Sequence, residues 1–381
     1  MKKRKVCVVT GNRADYGLLF PVITIIQRNK KLSLQLIATT SHLSIEFGST
    51  YKQIEEDGFN IDEKIDNLMS SDTKLSITKS TGLATILLAN SFEKLNPDVV
   101  LLLGDRFETH AAATAAMLMN IPIAHIHGGE ITEGAVDEQI RHSITKMSYL
   151  HFCSTEVYRR RIIQMGEDPQ RVFNTGAPGI DNIVNLKLLS KIDLEKQLDW
   201  RFSQKSALFT YHPTTLVNED LDKDLNIIFD VLINSNINIL FSYANSDYGG
   251  RTINKKIEKF CKLKPSHFMV VKNLGQLRYL SAMSYVDLLI GNSSSGIIEA
   301  ASFGKPVVNI GARQKGRLKG DNVIDCSIKD LRSSIRMAFS SDFILKCKNQ
   351  KNIYGRGNAS ESIVNELINQ PLSVLKFFID I

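Results

Sequence analysis

Cysteine is scarce and unpaired in this sequence. Cys7, Cys153, Cys261, Cys326 and Cys347 are the only five in 381 residues, and no two are close enough to form a CxxC motif. Cys7, Cys153 and Cys326 lie in or beside apolar, strand-like segments. They read as reduced core thiols of a cytoplasmic protein. Long apolar runs are also lacking: none approaches the ~18–20 residues that span a bilayer. The start does not have the form of a signal peptide. Basic residues lead into the short run Val6 to Thr10 and then polar Gly11-Asn12-Arg13, where a secretory core needs roughly 7–15 apolar residues. The expectation is a soluble, cytoplasmic chain with no membrane partner.

The lysines and arginines form no block beyond Lys2-Lys3-Arg4-Lys5, although the formal charge is +7. Nucleic acid is therefore not indicated as a partner. A mild positive excess suits an anionic small substrate, because a cleft lined by one sign of charge concentrates its opposite. No fixed-period repeat and no low-complexity tract is present. GxGxxG and a P-loop lysine motif are missing, which disfavours a dinucleotide or ATP. So are a Ser-His-Asp elbow, HExxH and a Cys-His signature.

What the chain does have is length and alternation. At 381 residues it exceeds the roughly 250–300 at which single cores stop growing, so two domains are expected. Short apolar runs at 6–10, 34–40, 98–105, 121–129, 149–155 and 172–176 read as strands. Helical patterns lie between them, including 107–118 and 136–147. A polar stretch at 183–205 with the lone Trp200 reads as a linker plus a helix, and strands resume at 206–213, 237–244, 268–273, 286–294 and 305–311. The tail from 359 to 378 reads as helical. Continuous apolar strands alternating with helices specify α/β domains with doubly wound parallel sheets. The expected division is 1–182, 183–358 and a C-terminal helix in 359–381 that crosses back to the first domain.

In such sheets ligands sit beyond the carboxyl ends of the strands, and the polar clusters of this chain fall there. That suggests two domains facing one cleft. GNRADYG (11–17) follows the first strand and opens a helix: either an anion site with Arg13, or a simple turn. GNSSSGIIE (291–299) is its counterpart, with Ser293, Ser294 and Gly296 at a helix start that suits a diphosphate; Glu299 is either a ribose acceptor or a solvated helix-surface residue. Asp105 and Arg106 close the most apolar strand, as a catalytic element or as an ion pair capping the sheet. HIHGGE (125–130) and DEQIRH (137–142) gather His125, His127, Glu130, Asp137, Glu138 and Arg141. Asp137 and Arg141 have the spacing of a structural ion pair. His125 and His127 alternate along a strand, so a metal is conceivable, but a metal-free acid–base site fits better. His212 ends a strand, and GARQKGR (311–317) brings Arg313 after another.

Taken in order and spacing, NRADYG, GDRFE, HIHGGE with DEQIRHSITKM, FxYHP, GNSSSGIIE and GARQKGR resemble the UDP-N-acetylglucosamine 2-epimerase family. The likeness is greatest to its hydrolysing branch, in the sialic and legionaminic acid pathways, and extends from about Val6 to the Ile363 region. The resemblance implies a GT-B fold of two Rossmann-like domains with a cleft between them. It implies that Arg13, Asn245, Ser293, Ser294, Glu299 and Arg313 bind UDP, that Arg106 and Arg141 flank the sugar and phosphates, and that Asp105, Asp137, Glu138 and His212 are catalytic; Gly296 at the helix start and Glu130 are added as substrate-binding candidates, and His127 as a catalytic one. The reaction it implies converts UDP-N-acetylglucosamine to N-acetylmannosamine and UDP. Its 4-acetamido-6-deoxy relative, UDP-2,4-diacetamido-2,4,6-trideoxyglucose, is the alternative substrate, and a GT-B glycosyltransferase is the rival activity. No metal or redox cofactor is required, a homodimer (or a tetramer) is expected, and with no kinase module the product leaves unphosphorylated. Many family members carry Glu where this chain has His127. Either His127 takes over that proton transfer, or Glu130 does, or the step is handled elsewhere.

Overall fold

The computed structural model describes residues 3–71, 73–133, 135–202, 205–213, 221–244 and 249–380. The chain divides into two compact units: residues 1–130, 137–184 and 354–381 form the first, and residues 131–136 and 185–353 the second. Both are doubly wound parallel α/β layers.

In the first unit the strands are β1 (Arg4–Thr10), β2 (Leu32–Thr39), β3 (Glu63–Ile65), β4 (Val99–Leu103), β5 (Ile123–Ile126), β6 (Leu150–Cys153) and β7 (Val172–Asn174). Their order is β3-β2-β1-β4-β5-β6-β7, every pairing parallel. β4 is five consecutive apolar residues, all buried, because helices cover both faces of a central strand. One face packs on helix Arg13–Arg28 through Leu19, Ile23 and Ile26, and on helix Ala359–Asn369 through Ile363, Val364 and Leu367. The other packs on helices Lys74–Leu95 and Phe107–Leu118, whose alanines at 111–113, 115 and 116 let it lie close to the sheet.

The second unit holds β8 (Ser206–Thr210), β9 (Asn238–Ser242), β10 (Phe268–Val271), β11 (Leu288–Gly291), β12 (Val307–Ile310) and β13 (Val323–Cys326), in the order β10-β9-β8-β11-β12-β13. Its core is aromatic: Phe229, Phe241, Phe260 and Phe268 pack together, with Phe229 and Phe260 stacked at 4.3 Å. Trp200, in the stretch read as a linker, is buried against Phe202, Leu194 and Leu198.

Two features differ from the sequence reading. β3 and β13 are short edge strands of mixed polarity that the apolar-run criterion passes over. The C-terminal helix stops at Asn369. Pro371 holds the preceding Gln370 in extended backbone, and the tail continues without helix to place Phe378 against Gly166 and Lys376 Nζ on Glu167 Oε2 at 2.7 Å. All five cysteines are free and buried. Burial pushes the Cys153 thiol up to about 12, and the Cys7 thiol further still.

Candidate active site

A doubly wound sheet opens a crevice where the strand order reverses, beyond the carboxyl ends of the two strands that flank the reversal. In the first unit these are β1 and β4, so the loops concerned are Gly11-Asn12-Arg13 and Gly104-Asp105-Arg106. In the second they are β8 and β11, so the loops are Tyr211-His212-Pro213 and Asn292-Ser293-Ser294. Six of the candidate residues stand on these four loops: Arg13, Asp105, Arg106, His212, Ser293 and Ser294.

The first unit gathers ionisable groups. Asp105 and Arg106 do not pair with each other. Asp105 binds Arg141 Nη2, while Arg106 Nε donates to Glu108 Oε1 at 2.8 Å. Arg141 is 1% exposed, and its Nη1 also donates to Glu138 Oε2 at 3.1 Å and to the carbonyl of Glu130 at 3.0 Å. Burial opposes its charge, but the carboxylates of Asp105 and Glu130 outweigh that, and its pKa is raised. The spacing of Asp137 and Arg141 had suggested a pair one turn apart. On helix Asp137–Met147 Glu138 bonds Arg141, the Asp137 charge also favours the guanidinium, and Glu138 Oε1 meets His142 Nε2 at 3.0 Å. Asp137 begins that helix, half-buried.

The two histidines of HIHGGE part company. His125 is the last but one residue of β5, fully buried, and its Nε2 lies 2.7 Å from the Gly104 carbonyl. Burial pushes its pKa down to about 3, so it is a neutral donor that pins the loop carrying Asp105. His127 lies beyond the strand in the left-handed region, φ 68°. A non-glycine residue stays there only when its surroundings hold it. Here Nδ1 bonds Glu130 Oε1 at 2.7 Å, and the same oxygen accepts from Ser154 Oγ at 2.9 Å. The two rings therefore do not line one face, and no group of three or more His, Cys, Asp or Glu among the described residues is placed to hold a metal.

The second unit gathers hydroxyls and amides. Gly291 (φ 134°) lies so close to β8 that a Cβ would stand 1.9 Å from the Thr210 carbonyl. Only glycine permits that approach, and it brings Asn292 against His212. The Asn292 side chain accepts from the His212 backbone N–H at 2.7 Å and donates to its carbonyl at 2.8 Å. The Asn292 carbonyl then accepts from Arg313 Nη1 at 3.1 Å and Gln314 Nε2 at 2.9 Å. Asn292 thus ties two candidates together, and its place in GNSSSGIIE was the available signal. Ser293 caps helix Ser294–Ile298. Glu299 is buried, contrary to a solvated helix-surface role, and accepts from Ser295 Oγ at 2.5 Å. Tyr279 meets the side chains of Ser295, Thr210 and Ser293, and burial together with Glu299 pushes its phenol up to about 12. Thr210, Tyr279, Ser293, Gly291 and Gly296 line a small hollow. Asn245 lies outside the described residues.

The family model for UDP-N-acetylglucosamine 2-epimerase matches residues 24–368. The chain belongs to that family and is an enzyme of it. It is 44% identical to the GDP/UDP-N,N'-diacetylbacillosamine 2-epimerase (hydrolyzing) of Campylobacter jejuni, over 90% of this chain and 89% of that one. It is 36% identical to the UDP-N,N'-diacetylbacillosamine 2-epimerase (hydrolyzing) of Legionella pneumophila, over 97% of both. Among solved structures, the UDP-GlcNAc 2-epimerase from Neisseria meningitidis bound to UDP-GlcNAc superposes with a TM-score of 0.80 at 22% identity, over 96% of this chain and all of that one. At that identity the match speaks for the fold, which is GT-B-like.

Proposed function

We propose that this enzyme is a hydrolysing UDP-sugar 2-epimerase, and that its sugar is the 2,4-diacetamido-2,4,6-trideoxy sugar N,N'-diacetylbacillosamine. The observation that carries the reaction type is the set of carboxylates around Arg141 at the first unit's switch point. Inversion at carbon 2 by elimination and re-addition needs two proton transfers on opposite faces, and these are the clustered titratable groups that could perform them. In this reading Asp105, Asp137, Glu138, His127 and His212 move the protons: a base takes the proton from carbon 2 while UDP leaves, and water then adds at the anomeric carbon as carbon 2 is reprotonated from the other face. His127, bonded to Glu130, takes the place of the carboxylate found in other members.

Arg13, Asn245, Ser293, Ser294, Gly296, Glu299 and Arg313 hold UDP, and Arg106, Glu130 and Arg141 flank the sugar and phosphates. Fixed donors aimed at the departing diphosphate stabilise the charge that develops there, and this chemistry needs neither metal nor redox cofactor. The choice of sugar rests on the two relatives named for diacetylbacillosamine, which are 44% and 36% identical over most of their length. UDP-N-acetylglucosamine is the second reading, favoured by a relative of that name from Neisseria meningitidis that is 29% identical over 89% of this chain. With the family resemblance goes a homodimer working in the cytoplasm. Incubating the purified protein with each UDP-sugar and assaying free UDP and the 2-epimeric sugar decides between the two. Transfer to an added acceptor, without free epimer, would instead make it a glycosyltransferase.

A further inference from the structure

One buried carboxylate at the β1/β4 switch point has no part in the scheme above. Glu108 lies in the first turn of helix Phe107–Leu118 and is 1% exposed. Its side chain reaches both loops of the switch point. Oε1 accepts from Arg106 Nε at 2.8 Å and from Asn12 Nδ2 at 3.3 Å. Oε2 is buried with no hydrogen-bond partner among the described residues. The approach dictates the residue opposite: a Cβ on Gly11 would stand 2.3 Å from Glu108 Cγ. Asn12 in turn caps helix Arg13–Arg28, its Oδ1 accepting from the Ala14 and Asp15 N–H groups at 2.8 and 3.1 Å. Asp15 Oδ2 closes the box on the N–H groups of Gly11 and Asn12, at 2.9 and 3.2 Å. A continuous chain of bonds thus runs from Arg106 on the loop after β4 to the loop after β1, which carries Arg13.

We propose that Glu108 is a positioning residue of this site: it holds Arg106 by the Nε edge, presents that guanidinium to the anionic substrate in one orientation, and locks the Arg106 loop to the Arg13 loop through Asn12. The substrate in this statement rests on the UDP-sugar reading. Asp15 completes the device. Burial, and then the Glu108 carboxylate, push Asp15 up to about 7, against the pull of Arg106 and the loop N–H groups. His42, bonded to Thr10 Oγ1 at 3.0 Å, is pushed down to about 3 by burial and stays neutral. Asp15 thus holds its proton to near neutral pH, although Arg106 favours its ionised form.

The test is kinetic. Glu108→Gln keeps the shape and removes the charge. KM for the UDP-sugar should rise about tenfold with kcat within about threefold, since a charge-assisted contact made equally in ground and transition states is lost. Glu108→Asp should recover part of the lost affinity. Gly11→Ala should weaken binding in the native background and add nothing in a Glu108→Ala background, the non-additivity of groups in contact. A merely structural Glu108 would lower the melting temperature and leave KM unchanged; that result overturns the proposal. Should the native enzyme release UDP from no UDP-sugar, the substrate reading fails separately. The positioning claim is then read from the carboxyl carbon titration of Asp15 by NMR, which must shift to lower pH in Glu108→Gln; an unshifted titration contradicts it.

Discussion

The two units share a strand order and a switch point but fill that point with opposite chemistry. The first collects side chains that carry or exchange protons: Asp105 with Arg141, Glu138 with His142, His127 with Glu130, Arg106 with Glu108. The second collects mainly amides and hydroxyls: the amides of Asn292 and Gln314, and the hydroxyls of Ser293, Ser295, Thr210 and Tyr279, with Arg313 as a fixed charge and His212 tied to Asn292. On the proposed reading the difference divides one fold by chemistry: most proton transfer falls to the first sheet, with His212 lent by the second, and most UDP binding to the second, with Arg13 lent by the first.

The largest break in this contrast should come from the first unit. Asp105→Asn and Asp137→Asn keep shape but lose proton transfer, and general acid–base groups contribute typically ~10²–10⁴-fold. Turnover should fall at least about a hundredfold with UDP affinity unchanged. A scaffold role predicts instead a lower melting temperature at a near-normal rate per folded molecule, so both are measured on the same samples.

Ionised groups of the first unit that lie away from its switch point should behave in the opposite way. Glu167 is buried, accepts from Lys146 Nζ at 2.6 Å and Lys376 Nζ at 2.7 Å, and meets His151 Nε2 at 3.1 Å. Burial raises its pKa, but His151 and the two lysines prevail and hold it at about 2. Burial also lowers the pKa of His151, so at neutral pH the ring acts as a neutral donor and the lysines supply the positive charge. A depressed carboxyl pKa stabilises the fold above the unfolded value, near pH 4.5, and the stabilisation is lost as pH falls through about 2. Glu167→Gln should therefore cost about 2 kcal/mol at pH 7, allowing for solvent at the lysine ends. The gap from the native chain should close toward pH 2 in denaturant titrations, with turnover untouched.

In the second unit the effects should fall on affinity. Arg313→Ala removes a charge-assisted contact worth roughly 1.5–3 kcal/mol, so calorimetry should find UDP bound at least about tenfold more weakly. Unchanged affinity would remove Arg313 from the nucleotide site. Tyr279→Phe is the finest probe. It deletes one hydroxyl among serines, worth about 1 kcal/mol, and should weaken UDP several-fold with kcat unchanged.

The sequence made the central architecture readable because β4 is one unbroken apolar run, and because polar clusters at strand ends announce a ligand face. Edge strands β3 and β13 escaped it, since three or four residues of mixed polarity carry no period. Glu108 and Asp15 escaped it for another reason. Each reads as an ordinary acidic residue in a first helical turn, and only the parallel pairing of β1 with β4, 93 residues apart at Val6 and Val99, brings the two turns together. The Asp137–Arg141 spacing told only part of the story, because Arg141 also binds Asp105 on the neighbouring loop, a contact no local pattern records. Buried Glu299 was hidden likewise, since its burial depends on the packing of a five-residue helix.

The division of labour implies that carbon 2 of the sugar exchanges its proton with solvent-derived acid while UDP departs. The direct measurement is to incubate the enzyme with UDP-N,N'-diacetylbacillosamine in deuterated water, after extensive treatment with a chelator, and to follow the products by NMR. The predicted result is free UDP and the 2-epimeric sugar carrying deuterium at carbon 2. Release of UDP with carbon 2 still protonated and unepimerised would contradict the account, since the first unit's carboxylates would then have no proton to move.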